Sequence, residues 1–253
     1  MDVLDITRIA EGLREHTAGL ADAASGPAPD TTVPTCPEWT LRDLVGHVGQ
    51  AHRWAADMFR TGGTTVAVEL PRDAPADQAE WAAWLRAGAA EAVAAQAANA
   101  GPVAHPVMGE APSAMWLRRM LNDTSVHHAD AAITAGVPFA IAADLAADEI
   151  TETFAHLTAP AAAQFKPELA ELRGAGETLC LRADEPSVPG WLITRGPDAA
   201  IVEYGARDAD MTIAGPVRDL MLVFARRLAP EDAAVKVTGD RALLDHWLAH
   251  TAV

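Results

Sequence analysis

The chain has 253 residues, half of them apolar, and 35 acidic against 19 basic side chains give it a formal charge of −16. Such a length supports one large or two modest cores, while the charge repels phosphate backbones and anionic headgroups, so neither nucleic acid nor membrane is an expected partner. No basic segment leads into an apolar stretch at the start and no run of 18 apolar residues occurs, which points to the cytoplasm.

Four stretches have helical period, 2–24, 40–61, 75–99 and 113–136, and predict a four-helix bundle. The second follows VPTCPEW, a proline-punctuated loop, and Thr40 with Asp43 three residues on resembles a capping box. The intervening stretches 25–39, 62–74 and 100–112 are rich in Gly, Pro and Thr and predict loops. A fifth helix is expected over 143–157, so the first domain is read as 1–158, with 159–174, alanine-rich and broken by two prolines, as linker.

From 175 the pattern changes. ETLCLRAD, GWLITRG, AAIVEYG and ADMTIAG alternate apolar and polar residues between Gly, Pro and Asp, as strands of a meander do. PVRDLMLVFARRL predicts an amphipathic helix, AVKVTG a strand, and DRALLDHWLAHT a last helix with Asp240 as N-cap. The expected fold class is α+β in two domains, a helical bundle followed by a smaller α+β domain over 175–253.

The histidines carry the chemical interest. His47 and His52 share a helix five residues apart, and at about 100° per residue they lie roughly 140° apart, so they cannot serve one site. Asp123 and His127, four apart, share a face of the fourth helix and can reach one cation. Their ordinary reading is an i,i+4 surface pair, just as a histidine on an apolar helix face is usually a packed residue. Bundles nevertheless build metal sites from facing helices, and three protein ligands leave a position for water or substrate. His47, Asp123 and His127 are therefore the candidate ligand set.

CPEWTLRDLVGHVGQAHRWA, then VHHADAAITAGVPF and AADLAADEI, with a tail running from GETLCLRAD to VKVTGDRALLDHWL, resemble the mycothiol-dependent maleylpyruvate isomerase family. The resemblance covers nearly the whole chain and implies a DinB-like four-helix bundle with a C-terminal sterol-carrier-like domain. It implies metal ligation, with zinc the expected ion, by the histidine after DLVG, the residue four before VHH's first histidine, and that histidine: His47, Asp123 and His127. The family has glutamate at the middle position, and aspartate is one methylene, about 1.5 Å, shorter. The resemblance further implies mycothiol, the low-molecular-weight thiol of actinobacteria, as cosubstrate, activated as thiolate to attack a small electrophile. Release after bond rotation gives isomerisation, and retention of the adduct gives S-transfer.

Other residues near these motifs have two readings each. His52 and His128 are either supports for the ligands or ordinary interface residues. Arg53, Arg118 and Arg119 could neutralise an anionic substrate or thiol. Asp43 could orient His47, although its capping role is the simpler one, and Trp54 could wall the pocket or pack in the core. Two cysteines, Cys36 and Cys180, lie far apart and supply neither a disulfide framework nor a zinc site. Cys36, in a loop between Thr35 and Pro37, is read as packing, and Ser125 with His127 and Asp130 lacks the spacing of a triad. A competing reading is a non-catalytic small-molecule binder whose metal site has degenerated, or a thiol-independent enzyme on the same fold. The sequence leaves the electrophile and the oligomeric state open.

Overall fold

Residues 4–63, 71–105, 109–159 and 162–251 are described by the structure, a computed structural model. Asp5 opens the first helix, its carboxylate accepting from the Arg8 N–H at 2.9 Å, and Ile6–Ala23 (α1) then buries Ile9, Leu13 and Leu20 along one stripe. The Thr40 capping box forms as expected: its side chain accepts from the Asp43 N–H, and the Asp43 carboxylate accepts from the Thr40 N–H at 2.8 Å. Leu41–Thr61 (α2) follows. Trp81–Ala98 (α3) enters through a short 3-10 turn, Gln78–Glu80, capped by Asp77. The expected loop before it falls largely outside the described residues.

Two of the expected loops contain strands. Thr32–Val33 (β1) pairs with Cys36–Thr40 (β2), and Pro102–His105 (β3) with Gly109–Pro112 (β4), each pair antiparallel. Ribbons this short carry too few residues to show alternation, each placing a single valine, Val33 or Val103, in the core. Ser113–Ala135 (α4) completes the bundle and ends at Gly136, whose φ of +65° is the left-handed cap that glycine adopts without strain. α1 and α2 each pack on both α3 and α4. The α2–α3 contact is close enough that the Trp84 ring lies where a Cβ on Gly49 would be, 1.9 Å from its nearest atom.

The chain divides into two compact units at Phe139/Ala140, before the helix that the sequence places in the first domain. Ala143–Leu157 (α5) belongs to the second unit because its inward face is aromatic and acidic rather than bundle-like. Phe154 sits edge-to-face with Trp191, Phe224 and Trp247, at centroid distances of 6.5, 5.6 and 5.8 Å. The expected linker is also structured: Ala162–Phe165 (α6) and a 3-10 turn, Pro167–Leu172, follow, the turn burying Leu169 and Leu172. Arg195 fastens this turn by donating to the carbonyls of Glu171, Leu172 and Arg173.

The predicted strands appear as Thr178–Ala183 (β5), Trp191–Arg195 (β6), Ala200–Tyr204 (β7) and Met211–Gly215 (β8). β5, β6 and β7 form an antiparallel meander, with Leu179 opposite Ile193 and Ile193 opposite Val202. β8 departs from it. It crosses to the far side of β5 and pairs there in parallel, Leu181 opposite Ile213, while Lys236–Gly239 (β9) closes that edge antiparallel to β8. Alternation cannot distinguish these arrangements, since both bury the same residues of β8. Val217–Phe224 (α7) is shorter than predicted, stopping before Arg226, whose φ is +65°. Arg241–His250 (α8) is capped by Asp240, which accepts from the Ala242 N–H at 3.0 Å. Among the described residues no helix is long and apolar enough to cross a membrane.

Candidate metal centre

α2 and α4 bring His47, Asp123 and His127 together, with one ligand atom from each lying within 4.8 Å of the others. His47 Nε2 is 3.5 Å from Asp123 Oδ2, and His127 Nε2 is 4.0 Å from Asp123 Oδ1. The two imidazoles meet edge-to-face, 4.9 Å between centroids. A tetrahedral ion with bonds of about 2.1 Å holds its ligand atoms about 3.4 Å apart, so the His47–Asp123 pair stands near that spacing while His127 would have to draw in to share an ion. Burial by itself would push the Asp123 carboxyl up. The neighbouring His127, a hydrogen bond from His47 and the Arg119 guanidinium outweigh it and hold the group well below the usual carboxylate range. It stays ionised, as a ligand must.

Register between the two helices is set by a buried bond one residue away. His52, fully enclosed, joins Thr124 Oγ1 through Nε2 at 2.8 Å, tying α2 to α4 beside Asp123. Trp39, at the end of β2, lies against both candidate imidazoles, 4.9 Å from the His47 ring and 5.7 Å from that of His127. Arg72 stands over the outer face of this indole at 5.2 Å. The capping box places it: Trp39 immediately precedes the Thr40 cap, so the chain entering α2 must pass the site.

Residues 10–132 match the domain family described as "Mycothiol maleylpyruvate isomerase N-terminal domain", and residues 144–246 match the MDMPI C-terminal domain. The chain belongs to the mycothiol maleylpyruvate isomerase family. The interval between the two matched segments straddles the division at Phe139/Ala140. Among solved structures, that of the mycothiol-dependent maleylpyruvate isomerase aligns at 16% identity with a TM-score of 0.53, covering 93% of either chain. A mutant of the same enzyme aligns equally well. At that identity the likeness speaks for the shared fold. No curated protein sequence matches the chain.

Within this family member, several residues singled out from the sequence serve other ends. His128 faces away from the ligand set, its Nδ1 3.0 Å from that of His16 and its ring against Phe139. Arg53 clamps α2 to α3, donating to the carbonyls of Gly49 (2.7 Å) and Trp84 (2.9 Å) while its guanidinium stacks 4.2 Å over the Trp84 ring. Asp43 is committed to the cap, and its hydrogen bonds with Thr40 lower its pKa. Ser125 donates to the Asn122 carbonyl within its own helix, and Trp54 packs edge-to-face on Trp116. Arg118 is half-buried on α4. Arg119 does reach the site, donating to Asp123 Oδ1 at 3.2 Å.

Two groups at the site have no role there assigned from the sequence, Trp39 and Asp130, the latter weighed only as a triad member. Trp39 had no signal beyond its place before the cap. Asp130 did have one: three residues after His127, it lies on the same helix face. It is fully buried, its Oδ2 2.8 Å from His127 Nδ1, and its Oδ1 accepts from Thr35 Oγ1 at 2.6 Å. Cys36 Sγ is 4.0 Å from the same carboxylate, so this cysteine packs beside the site's support.

Proposed function

We propose that this chain is a metal-dependent enzyme using mycothiol for isomerisation of, or S-transfer to, an electrophilic small molecule. The observation that carries this is the convergence of His47, Asp123 and His127 from two helices into a set with the spacing of a divalent centre, in a chain whose family is mycothiol-dependent. Zinc is the ion best suited to two imidazoles and a carboxylate in a redox-silent site that keeps a coordination position open. When bound it supplies Lewis acidity, lowering the pKa of an incoming thiol from about 8.5 so that thiolate is present at neutral pH.

The protein's own groups do the rest. His47 and His127 present Nε2 toward a common point, and Asp123 contributes a single negative charge, leaving a loaded centre with net charge of about +1 that favours an anionic sulfur. Trp39 walls one side and restricts water around the imidazoles. Arg119, about one-third exposed, offers a fixed positive charge beside the centre for a carboxylate on thiol or substrate.

The direct test is metal analysis of protein purified without chelator, beside His47→Ala. About one equivalent in the wild type and a marked loss in the variant are expected, followed by calorimetric binding of mycothiol to the loaded wild type alone. An empty wild type, or equal metal in both proteins, rejects the reading. One observation favours a second reading: the Arg119 guanidinium already occupies Asp123 Oδ1, as a cation surrogate would in a degenerate site that binds a small molecule without turnover. That reading expects the empty wild type.

A further inference from the structure

We infer that Asp130 is the positioning residue of this centre, fixing the tautomer and orientation of His127, and that Thr35 in turn fixes Asp130. This rests on the reading of His127 as a ligand. An ionised carboxylate only accepts hydrogen bonds, so the 2.8 Å contact between Asp130 Oδ2 and His127 Nδ1 requires the proton to sit on Nδ1. Nε2 is then left with its lone pair, and it is this nitrogen that faces Asp123, 4.0 Å from Oδ1. The Thr35 hydroxyl donates to the other Asp130 oxygen at 2.6 Å. It comes from the turn between β1 and β2, so the ribbon carrying Trp39 and the helix carrying the ligand are joined through one carboxylate.

A purely structural role explains this arrangement poorly. Asp130 has no exposed surface, and enclosing a charge costs more than filling the same volume with an apolar side chain. Pairing with a histidine whose opposite nitrogen points into a three-ligand cluster gives that charge a use. A carboxylate behind a ligating imidazole holds the ring in place and raises its basicity.

The test has an arm that needs no metal. In metal-free wild-type protein at mildly alkaline pH, nitrogen-15 NMR of the imidazoles, assigned with His127→Gln, should show His127 protonated on Nδ1; a dominant Nε2–H form overturns the inference. In the second arm, zinc affinity is measured by chelator competition for wild type, Asp130→Asn and Thr35→Val, each checked by circular dichroism. A loss of about 10–100-fold is expected for Asp130→Asn and a smaller one, about 3–10-fold, for Thr35→Val. Unchanged affinity in both variants overturns the inference. Should Asp130→Asn not fold, Thr35→Val and the tautomer still decide it. A wild type that takes up no zinc rejects the ligand reading instead, and the metal-free NMR tells the two failures apart.

Discussion

The Asp123 carboxylate is shared among three neighbours, accepting from Arg119 on Oδ1 and facing His127 with that oxygen and His47 with Oδ2. The resemblance of this chain to its family implies a glutamate there, yet the shorter side chain still brings its oxygens to 3.5 and 4.0 Å of the imidazole nitrogens. What the missing methylene removes is freedom to move away from Arg119. Asp123→Glu should therefore tighten zinc binding several-fold, measured by chelator competition, because the longer arm can reach the ion with less contraction while Arg119 keeps its distance. A variant that binds zinc where the wild type does not would identify a degenerate site. Affinity lost on lengthening would show that the helices have closed around aspartate. Spacing alone made Asp123 and His127 legible as a pair, whereas the role of Arg119 depended on its rotamer. Asp130 could have been found from its i,i+3 offset to His127; its partner Thr35, 95 residues earlier, could not.

Among the elements, α2 does most to shape the site, and it packs closely on α3 at Gly49. Its cap orients Trp39, its middle presents His47, and His52 locks it to α4. Gly49 lies between these last two and lets the Trp84 ring of α3 rest on the helix backbone, with Arg53 stacked on that ring. Gly49→Ala should destabilise the protein by about 1–3 kcal/mol, since the new methyl overlaps a rigid indole and the gain in helix propensity is smaller than the strain. Urea unfolding should show a lower midpoint at unchanged slope. A stabilised variant would mean that α3 yields freely. The helices themselves were readable from period and capping; the β1–β2 and β3–β4 ribbons were not, since pairing over so few residues leaves no pattern.

At the scale of the molecule, three imidazoles with strongly lowered pKa, His16, His52 and His128, all lie in the 4–139 unit. Burial, reinforced for His16 by the adjacent His128 and Arg8, lowers its pKa from 6.5 to about 3. Burial likewise lowers His52 and His128 to about 4, against the opposing pull of Asp123 and Asp22 respectively. A depressed histidine pKa means that unfolding takes up protons, so this stability is fully present above pH 6.5 and is lost progressively as pH falls toward 3–4. The bundle should thus loosen first on acidification, beginning above the range where carboxylates titrate. Hydrogen exchange followed from about pH 7 to about pH 5 should show α1, α2 and α4 losing protection ahead of β5, β6 and β8; simultaneous loss, or earlier loss in the sheet, would contradict it.

By itself the sequence determined the helices of the bundle, the strands after 175, the caps at Thr40 and Asp240 and the grouping of Asp123 with His127, because each depends on neighbours a turn or a pleat away. Only the tertiary structure decided the rest. It assigned α5 to the second unit through Phe154, sent β8 across to β5, tied His52 to Thr124, turned His128 away from the site, and set Asp130 and Trp39 against the imidazoles. These outcomes follow from contacts between residues far apart in the chain, and a local pattern is the same whichever partner the fold supplies. DLVGHVGQAHRW singles out His47 through its resemblance and helical geometry; the packing of α2 on α4 is what sets that residue beside Asp123 and His127.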